Sequence, residues 1–257
     1  MLDAALKEGV SLSVDDRGVA YLTFAHPRSN SLPGAVLADL AATVRELGQR
    51  SDVKVVVLGS AGDRAFCAGA SFDELVAISD EEAGLAFFMG FAHVINALRS
   101  IPQLVIGRVQ GKAVGGGVGV AAATDYCLAT QHAAIKLSEL AVGIGPFVVG
   151  PAVERKLGVS AMSQLSIDAS SWRSAQWACA RGLYAEVLDD VAALDEAVDA
   201  LAGRLASSNP DAMSALKQVF WSGTERWDTL LAERAAISGR LVLSDFTREA
   251  IQRFKAK

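Results

Sequence analysis

The sequence predicts an α/β fold, a mixed β/α core that gives way to a helical end, and three observations predict it. Two β-rich runs flank a turn near the start, continuous apolar runs of strand length then alternate with helical patterns, and from about Ser160 almost every segment has helical spacing. With 257 residues, 51% of them hydrophobic and 21% charged, the chain can bury a sizeable core and lacks the composition of a disordered protein. The pattern divides it into a core over residues 1–190 and a helical C-terminal region over 191–257.

The run VSLSVDDRGVAYLTFA (10–25) reads as a hairpin around Asp16-Arg17-Gly18. In PGAVLADLAATVRELGQR (33–50) apolar residues recur at helical spacing, and Pro33 suits the first helical position, where a missing N–H is harmless. VKVVVLGS (53–60) is continuously apolar, the mark of a strand covered on both faces. A long helix from about Glu81 to Leu98 precedes the strand LVIGRV, a glycine loop, and a helix of small residues through Ala123. DYCLAT and AAIKL give two more short strands, and the helical patterns then run from SAMSQLSID to ERWDTLLAERAAISGRLVLS.

Several function classes fall away. The net charge is −5 and no Lys/Arg run exceeds two residues, so a nucleic-acid partner has no electrostatic footprint. Cys67, Cys127 and Cys179 are far apart with no CxxC, which argues against a disulfide framework or zinc site and for a reducing cytoplasm. The opening MLDAALKEGV lacks a secretory signal, and the most apolar later stretch, AVGIGPFVVGPAV, is too short to span a bilayer. His26, His93 and His132 show no metal-ligand spacing, so no metal is expected, and no G-x-S-x-G occurs.

Residues 113–119, AVGGGVG, raise a specific question, because three consecutive glycines leave only bare backbone. GVGVAA (117–122) satisfies the G-x-G-x-x-A of dinucleotide-binding turns, with an acidic residue about 20 positions on, which keeps an NAD-dependent dehydrogenase among the alternatives. Close packing of a helix on the sheet is a second reading. A third is an oxyanion site: a loop without side chains entering a helix N-terminus aims unpaired N–H groups at one point under a positive dipole end. That suits an enolate, whose charge arises only during reaction. The small residues of AFCAGA (65–70), ahead of a helix, offer a second N–H.

Four segments then carry a resemblance. AFCAGASFDEL, VIGRVQGKAVGGGVGVAAATDYCLA, IKLSELAVGIGP and SAQWACARGLYAEV resemble, in order and spacing, the corresponding segments of the crotonase (enoyl-CoA hydratase/isomerase) superfamily over nearly the whole chain. The resemblance implies a spiral of β-β-α units whose C-terminal helical region mediates assembly into trimers or hexamers. It implies an acyl-CoA thioester as substrate, with coenzyme A part of that substrate and no separate cofactor. The thioester oxygen would be held by the N–H groups of Ala68 and Gly116.

Hydratases of this superfamily carry two glutamates; one corresponds to Glu139, but where the other would stand this chain has Gly119. Partial burial of Glu139 among apolar neighbours would raise its pKa and make it a proton carrier near neutrality; on its residue type alone it would read as a surface charge at a strand end. A single carboxylate suits double-bond isomerisation at least as well as hydration, with decarboxylation, C–C cleavage, thioester hydrolysis and a non-catalytic CoA-binding role as alternatives. For coenzyme A the resemblance implies Arg28 and Arg64, the backbone of Ala65, Ala68, Gly69, Ala70 and Gly115, and Phe254 and Lys257 lent to a neighbouring subunit. Solvated surface is the ordinary fate of such cations. Phe87, Phe88, Met89 and Phe91 read as core, with one or two bordering the acyl pocket. Ser71 stands where the superfamily more often has Asp, and Asp125 reads as structural.

Overall fold

The computed structural model of the chain describes residues 1–255, and side chains through Arg253; Phe254 as a side chain and Lys257 altogether lie outside the described residues. The opening hairpin pairs β1 (Gly9–Val14) antiparallel with β2 (Val19–Ala25), closed by Gly18 at φ 85. From β2 onward the main sheet is parallel: β3 (Val55–Ser60), β4 (Leu104–Val109), β6 (Tyr126–Thr130) and β8 (Glu186–Leu188) follow in the order β1-β2-β3-β4-β6-β8. Every residue of β2, β3 and β4 is buried, as continuously apolar strands covered on both faces require.

Between the strands come α1 (Gly34–Gly48), α2 (Phe72–Ala77), α3 (Glu81–Ser100) and α4 (Gly116–Ala122), with β5 (Ala113–Val114) and β7 (Ile135–Lys136) forming a second, two-stranded parallel sheet. Single bridges continue this sheet from Cys67 to Ala113 and from Ile135 to Arg173, and Leu32 pairs with Ala70. Each return of the chain thus adds a long strand to one sheet and a short pairing to the other. The remaining helices are α5 (Gly150–Ile167), α6 (Ala175–Ala180), α7 (Val191–Ala206), α8 (Pro210–Phe220), α9 (Trp227–Leu241) and α10 (Asp245–Lys255).

Two local expectations shift. Pro33 is the N-cap of α1, one position before the helix, and its carbonyl accepts the Leu37 N–H at 3.0 Å. Residues 186–188 form the sixth strand of the main sheet, which periodicity could not reveal in three residues. Ser71 is the N-cap of α2, its hydroxyl accepting the Glu74 N–H at 3.4 Å; Asp and Ser serve that position alike.

The C-terminal helices are built into the core. One face of the sheet presents Val19, Tyr21, Val55, Val57 and Ile106 to Leu194, Val198 and Ala202 of α7, while α9 packs along α3. A buried polar node fixes this arrangement. Asp125 accepts from the Val105 N–H (2.7 Å) and the Trp221 indole N–H (2.6 Å) and pairs with Lys217 Nζ at 3.0 Å, and that ammonium also donates to the Leu98 and Gln103 carbonyls. Removing one member leaves the other buried and charged. Asp125→Ala is therefore expected to lower unfolding free energy by about 3–5 kcal/mol, measured by urea denaturation.

Candidate active site

The three glycines each meet a different neighbour. Gly115 has φ +50, and a Cβ there would stand 2.8 Å from Glu139 Oε1; at Gly116 it would enter the Phe91 ring of α3; at Gly117 it would lie 2.6 Å from Cys67 Cβ. Only bare backbone lets the loop sit between the carboxylate, the helix and the neighbouring strand end at once. The loop is held by Val114 N–H on the Cys67 carbonyl (2.9 Å) and Gly115 N–H on the Lys136 carbonyl (2.9 Å). The amides of Gly116 and Gly117, at the start of α4, are given to no acceptor among the described residues.

Glu139 follows β7 and opens a short 3-10 turn, Leu140–Val142, which turns the chain back over the glycine loop. Its carbonyl accepts from Val142 and Ile144, fixing the backbone. The residue as a whole is partly exposed, but its carboxyl group is enclosed, and Oε2 is buried without a hydrogen-bond partner. Burial raises its pKa from 4.5 to about 7, against a smaller opposing contact with its own backbone. A carboxyl so placed is half protonated near neutrality and can give or take a proton.

Glu139 and Gly116 line one cavity of about 60 Å³, together with Ala68, Gly69, Ala70, Gly115 and an apolar wall including Phe72, Phe88, Phe91 and Val149. The volume holds a few waters or a narrow chain of carbons. Eight of the residues singled out in the sequence thus converge here: Ala68, Gly69, Ala70, Phe88, Phe91, Gly115, Gly116 and Glu139. The amide of Ala68, however, donates to the Ser29 carbonyl at 3.0 Å, so one of the two expected oxyanion donors is engaged within the chain. Ser29 and Asn30 stand at φ 53 and 55, and the Asn30 side chain anchors the turn through the carbonyls of Ala61 and Ala65, both 2.9 Å away.

Other expected contacts lie apart from the cavity. Arg28 is on the surface, paired with Asp73 at 2.6 Å, and Arg64 is exposed. The Ala65 carbonyl is occupied by Asn30 and, at 3.3 Å, by Gln110. Sequence reasoning missed Val149 and Ser238. Val149 decides the most: a Cβ on Gly119 would run into its side chain, with Val149 Cβ only 2.5 Å away, so an apolar side chain fills the space beside Gly119. No spacing rule marks this contact, because Val149 comes from the segment leading into α5.

A sequence model of the family described as enoyl-CoA hydratase/isomerase matches residues 15–257. The chain belongs to that family. Among the family's members, a Bacillus subtilis (strain 168) protein named "Probable enoyl-CoA hydratase" is 27% identical over 250 residues, covering 96% of each chain. The ethylmalonyl-CoA decarboxylase of Gallus gallus is 30% identical over 158 residues, 61% of this chain and 53% of that one. The crystal structure of an enoyl-CoA hydratase from Mycobacterium avium superposes with a TM-score of 0.86 at 26% identity, covering 98% of this chain and 97% of that chain. The fold is the crotonase fold. Among the described residues no helix is long and apolar enough to cross a membrane, and no His/Cys/Asp/Glu group is suited to a metal ion.

The raised pKa of Glu139 makes a stability prediction independent of substrate. Folding favours the neutral carboxyl, so its contribution is full below 4.5 and lost as pH rises through about 7. The stability of Glu139→Gln relative to the parent should therefore grow by about 3 kcal/mol between acid and mildly alkaline solution, as read by urea denaturation across that range.

Proposed function

We propose that this family member shifts a proton on an acyl-CoA thioester through an enolate, with Glu139 as the acid/base and the Gly116 N–H on the thioester oxygen. What carries the reading is one enclosed, unpartnered carboxyl oxygen sharing an apolar cavity with a free helix-start amide. In that closed space the carboxylate of Glu139 takes a proton from C2, electrons move onto the thioester oxygen, and the amide and the N-terminal end of α4 hold the resulting charge. Return of the proton to C4 shifts a double bond. The Ala68 N–H acts as the second donor when the Ser29 carbonyl shares or yields it.

Isomerisation is favoured over hydration because Val149 fills the space beside Gly119, leaving no second carboxylate to position a water. Decarboxylation is the second reading, supported by the likeness to the Gallus gallus decarboxylase. There a C2 carboxylate leaves as CO2, its bonding electrons form the same enolate, and protonated Glu139 supplies the proton to C2. In either case exposed Arg28 and Arg64 serve the phosphates of coenzyme A, Arg28 releasing Asp73, and the backbone of residues 65–70 and Gly115 follows the pantetheine. The exposed apolar residues Val159, Ile167, Val219 and Phe246 support assembly of several copies, as trimers or pairs of trimers, and the free cysteines fit a reducing cytoplasm.

Assays with 3-hexenoyl-CoA, crotonyl-CoA and ethylmalonyl-CoA decide among the reactions. Turnover of the first with little hydration of the second is expected, rising with pH through about 7 as the carboxylate forms. Glu139→Gln should lower kcat by about 10²–10⁴; full retention of turnover would remove Glu139 from the role. Gly119→Glu alone should overpack the site and destabilise it by about 1–3 kcal/mol. Val149→Gly in the same chain removes the Cβ that stands 2.5 Å from that position, and stability partly recovers along with measurable hydration of crotonyl-CoA.

A further inference from the structure

We propose that Ser238 reads an oxygen on the acyl chain, so that the favoured thioesters carry a hydroxyl or carbonyl group beyond the reacting carbons. The inference rests on the acyl-CoA reading of the cavity and names what it recognises on the acyl chain. Ser238 belongs to α9 and is only 1% exposed, yet it lines the cavity, whose wall is otherwise largely aromatic and aliphatic. A hydroxyl inside a helix ordinarily returns its proton to the carbonyl four residues back. Thr43, Ser100 and Ser166 do so, at 2.8, 2.7 and 2.8 Å. Among the described residues Ser238 makes no side-chain hydrogen bond. A buried hydroxyl without a partner is unfavourable in an apolar enclosure, and a polar group on a bound molecule would relieve it.

The packing that delivers this hydroxyl is specific. α3 and α9 cross backbone to backbone at Gly84 and Gly239, where a Cβ on Gly84 would lie 2.7 Å from the Gly239 carbonyl oxygen. That approach carries the preceding residue, Ser238, to the cavity. Phe91, whose ring abuts Gly116, stands seven residues after Gly84 on α3, which is about 10 Å along the helix. The α3–α9 crossing thus lies about 10 Å along α3 from the residue that abuts Gly116, a span of several bonds of an acyl chain. The fully buried side-chain polar atoms without partners among the described residues are Glu139 Oε2, Gln103 Oε1 and Arg173 Nε, and of these three residues only Glu139 lines this cavity.

The test is calorimetric binding of butanoyl-, pentanoyl- and hexanoyl-CoA and their ω-hydroxy counterparts to the full chain, to Ser238→Ala and to Ser238→Cys. Saturated thioesters keep the measurement independent of turnover, and comparing paired ligands on one variant cancels any loss of folded protein. At one chain length the ω-hydroxy thioester should bind the parent about tenfold more tightly than its hydrocarbon partner. Ser238→Ala should abolish that preference, and Ser238→Cys should keep part of it. Equal binding within every pair, as for a hydroxyl that serves only a trapped water, overturns the proposal, and so does a preference that survives in Ser238→Ala. If no thioester binds the parent at all, the acyl-CoA reading itself fails; binding without preference removes only the role of Ser238.

Discussion

A carboxyl group enclosed without a hydrogen-bond partner opposes folding, and this chain concentrates that cost at Glu139. The surroundings are arranged around it. The glycine loop supplies no side chain that could pair with it, the 3-10 turn after β7 fixes its backbone, and the cavity wall it faces is built largely of phenylalanines and valines. The unfavourable burial and the chemical usefulness are one property, because the environment that disfavours the charged form brings proton exchange near neutral pH. The rest of the molecule provides enough favourable burial to sustain this local loss: strands covered on both faces, and the Asp125–Lys217 node that ties α8 to the sheet.

Much of the frame was legible in the sequence because it follows from local rules. The hairpin around Gly18, the continuously apolar β3 and β4, and the long α3 all express periodicity or turn chemistry within a few residues. The glycine loop stood out for another reason: three residues without side chains depart from ordinary composition, whereas Glu139 was singled out by the resemblance, since on residue type alone it reads as a surface charge. What stayed hidden depends on contacts between distant segments. The packing of Val149 against Gly119, the bond from Ala68 to Ser29, and the arrival of Ser238 from α9 leave no trace in spacing.

The Ala68 contact changes how the oxyanion site is understood. Two successive residues in the left-handed region, pinned by the Asn30 amide, push the Ser29 carbonyl onto an N–H that would otherwise face the cavity. The two amides proposed as donors are thus unequal within the chain, that of Gly116 free and that of Ala68 engaged. Gly119 shows a similar lesson about substitution: Val149 fills the space a side chain there would need, so any change at one position bears on the other.

The bare crossing of α3 and α9 sets their spacing. With no side chains between the two rods at this point, any atom inserted at Gly84 or Gly239 would push α9 away from α3 and shift Ser238 with it. Substitutions among Phe72, Phe88 and Val149 would instead alter the bore of the cavity. The spacing of these two helices and the width of the cavity are therefore set by separate residues, none of them Glu139 or Gly116.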